Sequence, residues 1–144
     1  MRPLIICFNC LIILFSCSEI NGQEEQIQEI TYRTMTRGSQ KEVVVTASQL
    51  RAQASGVLSF QNTEELSADQ WNNYLEKCKS IQLATLEDLY ASVENQSVDR
   101  GAAAELIIVT DQGEYHSPLF DENNPPQELE PLVALLKPHL VVQE

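Results

Sequence analysis

The stretch at residues 102–121, AAAELIIVTDQGEYHSPLFD, decides the fold that this sequence predicts. Its unbroken apolar run at 106–109 has strand length and is rich in β-branched residues, which fit a pleated surface. Asp111-Gln112-Gly113 is a polar turn in which we expect Gly113 to take the left-handed conformation of a three-residue hairpin loop. Residues 115–119 then alternate as the return strand. Because the run at 106–109 does not alternate, we expect it to form a central strand that is covered on both faces.

A second hairpin is predicted earlier in the chain. Residues 30–34 alternate with the period of a half-exposed strand, and the run at 41–46 indicates a second strand. Arg37-Gly38 separates the two, and we expect Gly38 to supply a positive φ at the turn. A third strand is expected at 57–60, after a turn at Ser55-Gly56, in the part of the chain whose pattern is weakest.

Two or three helices complete the predicted fold. Ser67 and Gln70 form a capping-box pattern, so a helix should begin at Ala68 and run to about residue 80. A short helical turn is expected near Thr85, and the prolines at 125–126 introduce a last helix. We therefore predict an α+β fold: an antiparallel sheet of four to five strands in two hairpins, packed with two to three helices, in the order ββ(β)α(α)ββα.

The N-terminal residues have the pattern of an export signal. Met1-Arg2 precedes a twelve-residue apolar run at 4–15, which is too short to span a bilayer as a helix. The run ends in Leu14-Phe15-Ser16-Cys17, which resembles the lipobox of bacterial lipoproteins. That resemblance implies cleavage before Cys17 and acylation of its thiol. The alternative is an ordinary secretory signal with incidental cysteines.

This interpretation divides the chain into three parts. Residues 1–16 are a lipoprotein signal peptide, 17–26 a flexible polar tether and 27–144 a single α+β domain. The mature protein is expected on a membrane of the bacterial cell envelope, and Ser18 in place of aspartate favours the outer membrane over the inner one. Cys78 is then the remaining thiol, so the domain should not depend on disulfides.

Charge and motifs exclude several classes of function. The formal net charge of −12 becomes −13 when Arg2 leaves with the signal, and such a charge repels phosphate backbones, which argues against a nucleic-acid partner. The mature region contains no H-E-x-x-H, C-x-x-C, G-x-S-x-G or Gly-rich phosphate-binding pattern. We therefore predict no catalytic residues, no metal and no cofactor.

Individual residues of chemical interest have plainer interpretations. His116 is expected to face solvent or to be hydrogen-bonded, and Cys78 is expected to be a small buried hydrophobe on the first helix. Residues 121–124 offer oxygen ligands, but their spacing matches no calcium loop and acids are favoured before a helix. Arg37-Gly38-Ser39 is the candidate partner-binding site, either as a solvated hairpin turn or as a turn that presents Arg37 to a protein.

Short motifs in a fixed order resemble the emfourins, small bacterial inhibitors of thermolysin-type metallopeptidases. They comprise Arg37-Gly38, Val43-Val44-Val45, Ile81-Gln82-Leu83, Asp99-Arg100-Gly101-Ala102, the ELIIV strand, Gly113-Glu114-Tyr115-His116-Ser117 and Leu129-Glu130-Pro131-Leu132-Val133. The same order resembles still more closely a group of small exported lipoproteins of unknown function. The resemblance implies an emfourin-like domain over roughly residues 30–136, whose exposed landmark is the Arg37-Gly38-Ser39 turn. The lipid anchor and an insert at 48–66 are differences from the inhibitors.

Three hypotheses of function follow. The first is a non-catalytic protein-binding module held in the cell envelope by its lipid. The alternative, implied by the resemblance, is an inhibitor of a thermolysin-type metallopeptidase. The third is an enzyme, which the absence of nucleophile–base and metal-ligand patterns disfavours. The expected partners are the membrane, through the lipid on Cys17, and an envelope protein or metallopeptidase.

The lipid anchor predicts a specific effect of Cys17→Ser. This variant should accumulate as an unacylated soluble protein or as an uncleaved precursor, because serine cannot form the thioether that carries the lipid. The measurement is membrane partitioning and the mass of the N-terminal peptide. Normal processing and unchanged partitioning of the variant would refute the anchor.

Overall fold

The computed structural model describes residues 25–57, 59–91 and 101–141, and the predicted signal peptide with Cys17 lies outside these ranges. The described residues form one seven-stranded antiparallel sheet. Its strands are β1 (Ile27–Met35), β2 (Ser39–Thr46), β3 (Gln49–Gly56), β4 (Phe60–Glu65), β5 (Ala103–Thr110), β6 (Glu114–His116) and β7 (Phe120–Asp121). The helices are α1 (Ala68–Cys78) and α2 (Glu130–Leu136), with 3₁₀ segments at Leu83–Asp88 and Lys137–Leu140. The predicted α+β class is confirmed, with more strands than the four to five expected.

β1 is the central strand of the sheet. The strand order is β4–β3–β2–β1–β5–β6, with β7 beside β5. β1 pairs with β2 on one edge and with β5 on the other, so that Tyr32 lies between Val43 and Leu106. Alternation along β1 places Ile30 and Tyr32 in the core and turns Arg33 to the opposite face.

The prediction that residues 106–109 form an interior strand is confirmed, because β5 pairs on both edges, but the prediction that other elements cover both of its faces is wrong. The hairpin itself is confirmed, since β5 pairs with β6 and Ile108 faces Tyr115. β5 nevertheless lies beside the central strand, and only one of its faces contributes to the core cluster. Ile107 is buried on the other face, where its cross-strand neighbours are Thr31 and His116. Side chains on the neighbouring strands therefore bury Ile107 without a covering helix. The apolar pattern of one strand cannot distinguish this kind of burial from burial under a helix.

Residues 49–65 form a complete hairpin where the sequence predicted a single strand at 57–60. β3 and β4 pair in register from Gln49 with Glu65 to Ala54 with Phe60. Ser55-Gly56 is the end of β3 rather than a turn before a strand. β3 lacks β-branched residues, and its strand conformation comes from pairing with β2 and from burial of small side chains such as Ala52.

The helices cover one face of the sheet. α1 begins at the predicted capping box, in which the Ser67 hydroxyl accepts from Gln70 N and the Gln70 side chain accepts from Ser67 N. α2 tolerates Pro131 because the proline occupies its first turn. The buried stripes of both helices join the core residues of the sheet in one cluster, in which the rings of Tyr32 and Phe120 stack with centroids 6.5 Å apart.

The turn between β1 and β2 is a two-residue turn at Arg37-Gly38. It closes with a hydrogen bond of 2.9 Å from Thr36 N to Ser39 O. The expectations of a positive φ at Gly38 and at Gly113 are wrong, because Gly56 is the one glycine of the described residues with positive φ, at 106°. Gly56 pairs with Ser39 and packs against the turn, so closely that a Cβ atom on it would lie 2.1 Å from Gly38 O.

Replacement of Gly56 should therefore destabilise the fold, whereas replacement of Gly38 should not. We expect Gly56→Ala to lose about 2 kcal/mol, because the residue combines a left-handed φ with a backbone clash. Gly38→Ala is the matched control, with no atom within 4 Å of the added carbon. Chemical denaturation of both variants measures the difference, and equal losses would contradict the assignment.

Candidate functional site

The face of the sheet opposite the helices is the candidate protein-binding surface, and we call it the open face. Its side chains alternate with the core residues along each strand, and none of them belongs to the core cluster. One row across the sheet is apolar, with Val44 and Ile107 buried on either side of Thr31. The next row is charged, because the register places Arg33 between Glu42 and Glu105.

Arg33 is the centre of this charged row. Its Nε and Nη2 donate to Glu42 Oε2 at 3.1 and 3.0 Å, and Gln53 Nε2 donates to Oε1 of the same carboxylate at 2.9 Å. On the other side Arg33 Nη1 lies 3.7 Å from Glu105 Oε2. One guanidinium thus bridges carboxylates from two neighbouring strands, which fixes the orientation of all three side chains.

His116, which stands opposite Ile107 in the adjacent row, links this charged row diagonally to the edge of the sheet. Its Nδ1 lies 2.9 Å from Glu105 Oε1, and its Nε2 lies 2.8 Å from Glu114 Oε1. Both nitrogens donate when the ring is protonated. The hydrogen bond to Glu105, followed by the one to Glu114, raises the pKa of His116 above its ordinary value of 6.5.

These six side chains form one connected row, which we call the charged line: Gln53, Glu42, Arg33, Glu105, His116 and Glu114. Three carboxylates face one guanidinium and one imidazole, so the charged line is acidic at neutral pH. The inner carboxylates of Glu42 and Glu105 are 14 % and 17 % exposed, whereas the His116 side chain is 47 % exposed. The line is therefore held rigidly at its centre and accessible at its β6 end.

A polar groove of about 370 Å³ adjoins the charged line at β2 and β3. Three carboxamides, those of Gln40, Gln53 and Gln61, line it together with Glu42 and Ser55. Carboxamides donate and accept hydrogen bonds, so the groove suits the alternating donors and acceptors of a polar protein surface or peptide backbone. It contains no nucleophile paired with a base.

The predicted binding turn lies at one end of the same β1–β2 hairpin that carries the charged line. The Thr36 hydroxyl accepts from Ser39 N at 3.2 Å and lies 3.0 Å from the Ser39 hydroxyl. These bonds brace Arg37 and Gly38, both of which are exposed. The turn is thus braced by hydrogen bonds and exposed, and its role in binding stays a prediction.

The structure places the other residues of chemical interest in structural roles. Cys78 is buried on α1, and burial raises the pKa of its thiol to about 12, which keeps it protonated. His139 lies 3.5 Å from the Tyr74 hydroxyl. The acidic turn after β7 is already occupied by a cation of the protein, since Lys137 Nζ donates to Glu122 O at 3.2 Å and to Asn123 Oδ1 at 2.9 Å.

Sequence reasoning missed the charged line as a unit. Alternation along β1 places Arg33 on the exposed face, but the partners of Arg33 come from strands that are distant in sequence. Glu42 and Glu105 become its neighbours only through the register of three strands. The sequence predicts that His116 faces solvent or is hydrogen-bonded, and in the structure it is both.

Comparison of the chain with protein-family models, with curated proteins and with solved structures gives no match. The emfourin-like domain therefore stays a prediction. In the part of the chain that the structure describes, no helix is long and apolar enough to cross a membrane. Within the same ranges, no group of three or more His, Cys, Asp or Glu side chains is arranged to hold a metal ion.

The raised pKa of His116 predicts a pH-dependent contribution to stability. Since folding raises this pKa, the contribution is fully present below about pH 6.5 and is lost as the pH rises through the folded-state value. His116→Gln should therefore lower the Tm more at about pH 5.5 than at about pH 8.5, by a small amount because the ring is half-exposed. Thermal melts across this range measure the gap, and a gap that widens with pH would contradict the assignment.

Proposed function

We propose that this protein is a non-catalytic protein-binding module, anchored in the bacterial cell envelope by a lipid on Cys17. Its binding surface is the open face of the sheet together with the Arg37-Gly38-Ser39 turn. The observation that carries the proposal is the charged line, a connected set of hydrogen-bonded side chains on the sheet face opposite the helices, exposed at its β6 end. Protein–protein interfaces have polar rims with many hydrogen bonds, whereas small molecules bind in mostly apolar pockets.

The rigidity of the charged line supports a role in recognition. Arg33 is held by two carboxylates, so little side-chain entropy is lost when a partner binds to this face. The line is acidic overall and ends in exposed Glu114 beside exposed His116, which favours a partner with a basic or hydrogen-bond-donating surface. Charge complementarity of this kind contributes to specificity and to the rate of association.

The two described residues that precede β1, Glu25 and Gln26, lie away from the Arg37 turn. Gln26 N donates to Asp111 Oδ1 at 2.9 Å, and Asp111 N donates to Gln26 O at 3.0 Å. These bonds hold the start of β1 beside the β5–β6 turn, at the opposite end of the hairpin from Arg37. Glu25 and Gln26 therefore contact the β5–β6 hairpin at the end of the sheet that lies away from the Arg37 turn.

The resemblance to emfourins makes a thermolysin-type metallopeptidase the first defined partner to test. If the alternative function is correct, the purified protein should inhibit such a peptidase. We expect Arg37→Ala to weaken that inhibition while leaving the Tm nearly unchanged, because exposed substitutions usually alter stability by less than ~0.5 kcal/mol. An absence of inhibition would exclude this partner but not the wider proposal.

Site-specific photocrosslinking in whole cells tests the wider proposal. A photoreactive residue at Gln40, on the open face, should crosslink to a discrete protein, whereas the same residue at Asn72 on the exposed side of α1 should not. Arg33→Gln removes the guanidinium that holds Glu42 and Glu105, and it should reduce the Gln40 crosslink at least tenfold. Identical crosslinks from both positions, or a crosslink that does not respond to Arg33→Gln, would overturn the assignment of the open face.

A further inference from the structure

We propose that two copies of this chain associate through the outer edge of β4 and join their sheets into one. β4 lies at the end of the strand order, and residues 61–65 are all exposed. An edge strand of this length presents a row of N–H and C=O groups that another strand can pair with. The inference concerns assembly and does not depend on the proposed function of the open face.

Hydrogen bonding to β3 decides which backbone groups of β4 point outward. Leu66 N donates to Ser48 O at 2.9 Å, and this pair continues the register of the β3–β4 ladder. Hydrogen-bonded and non-hydrogen-bonded pairs alternate in an antiparallel ladder. The even-numbered residues of β4 therefore bond to β3, and Gln61, Thr63 and Glu65 direct their N–H and C=O groups away from the sheet.

A two-fold axis at Thr63 pairs these outward groups in a second, antiparallel ladder. Thr63 then lies opposite Thr63 of the second copy, and Gln61 lies opposite Glu65 of the second copy on the open face. On the other face Asn62 lies opposite Glu64 of the second copy. Each carboxylate thus meets a carboxamide that can donate to it, and no two carboxylates lie directly opposite each other.

The apolar ends of β4 select the same register. Phe60 lies opposite Leu66 of the second copy, and both residues are half-buried against the core on the helix-covered side. A slip of one ladder step in one direction places Glu64 opposite itself, and a slip in the other direction places it opposite Phe60. The positions of the charged side chains and of the apolar side chains therefore favour the same register, the one centred on Thr63.

The opposite edge of the sheet makes a closed dimer the expected assembly. β6 has three residues and is followed by Ser117-Pro118, and proline has no N–H for a further ladder. A second long edge for filament growth is thus lacking in the described part of the sheet. The acidic charge of each copy opposes association in dilute solution, and confinement to one membrane surface would raise the effective concentration.

Sedimentation equilibrium of the protein as purified, in a neutrally buoyant detergent, tests the dimer. About 0.5 M salt screens the repulsion between the acidic copies, and concentrations up to about 200 μM suit an interface of this small size. We expect a dimer for wild type, an unchanged dimer for Thr63→Val, and at least tenfold weaker association for Thr63→Pro. Proline removes an outward N–H that bonds to nothing in β3, so an edge strand tolerates it.

Charge substitutions provide a second test that keeps the backbone intact. Asn62→Lys places an ammonium opposite Glu64 of the second copy and should tighten association severalfold. Asn72→Lys, on the exposed side of α1, is the control with the same change in net charge and should tighten it less. A wild type that stays monomeric, a Thr63→Pro variant that dimerises like wild type, or equal effects of the two lysines would overturn the proposal.

Discussion

The double pairing of β1 is the constraint on which the rest of the structure depends. Hydrogen bonds on both edges of this strand set the register of β2 and β5, and alternation then divides every neighbouring side chain between two faces. A slip of one residue would exchange Tyr32, fully buried, with Arg33. The core and the charged line are therefore two consequences of one register.

The two faces of the sheet are stabilised in different ways. The helix-covered face buries apolar area, with the stripes of α1 and α2 packed on Ile30, Tyr32 and their neighbours, and this burial stabilises the domain. The open face carries no second layer among the described elements, and its apolar row is shielded by longer polar side chains. The hydrogen bonds of the charged line hold those side chains in place, so the surface is ordered without a covering helix.

The edge proposed for dimerisation and the surface proposed for partner binding are different parts of the sheet. The charged line lies on β3, β2, β1, β5 and β6, and the edge proposed for dimerisation is β4. Pairing through that edge would extend the sheet and place two open faces side by side. A partner with two binding sites could then contact both faces, which would raise its overall affinity without any new type of contact. The Arg37 turn remains outside the pairing edge, at the tip of the β1–β2 hairpin.

The sequence alone determined the α+β class, both hairpins and the capped α1, because these depend on local pattern and short-range hydrogen bonds. It did not determine β3, whose strand conformation comes from pairing rather than propensity, or Gly56, whose role depends on contact with Gly38. The charged line also required the tertiary structure. Arg33, Glu42 and Glu105 are far apart in the chain, and only the register of three strands brings their charges together.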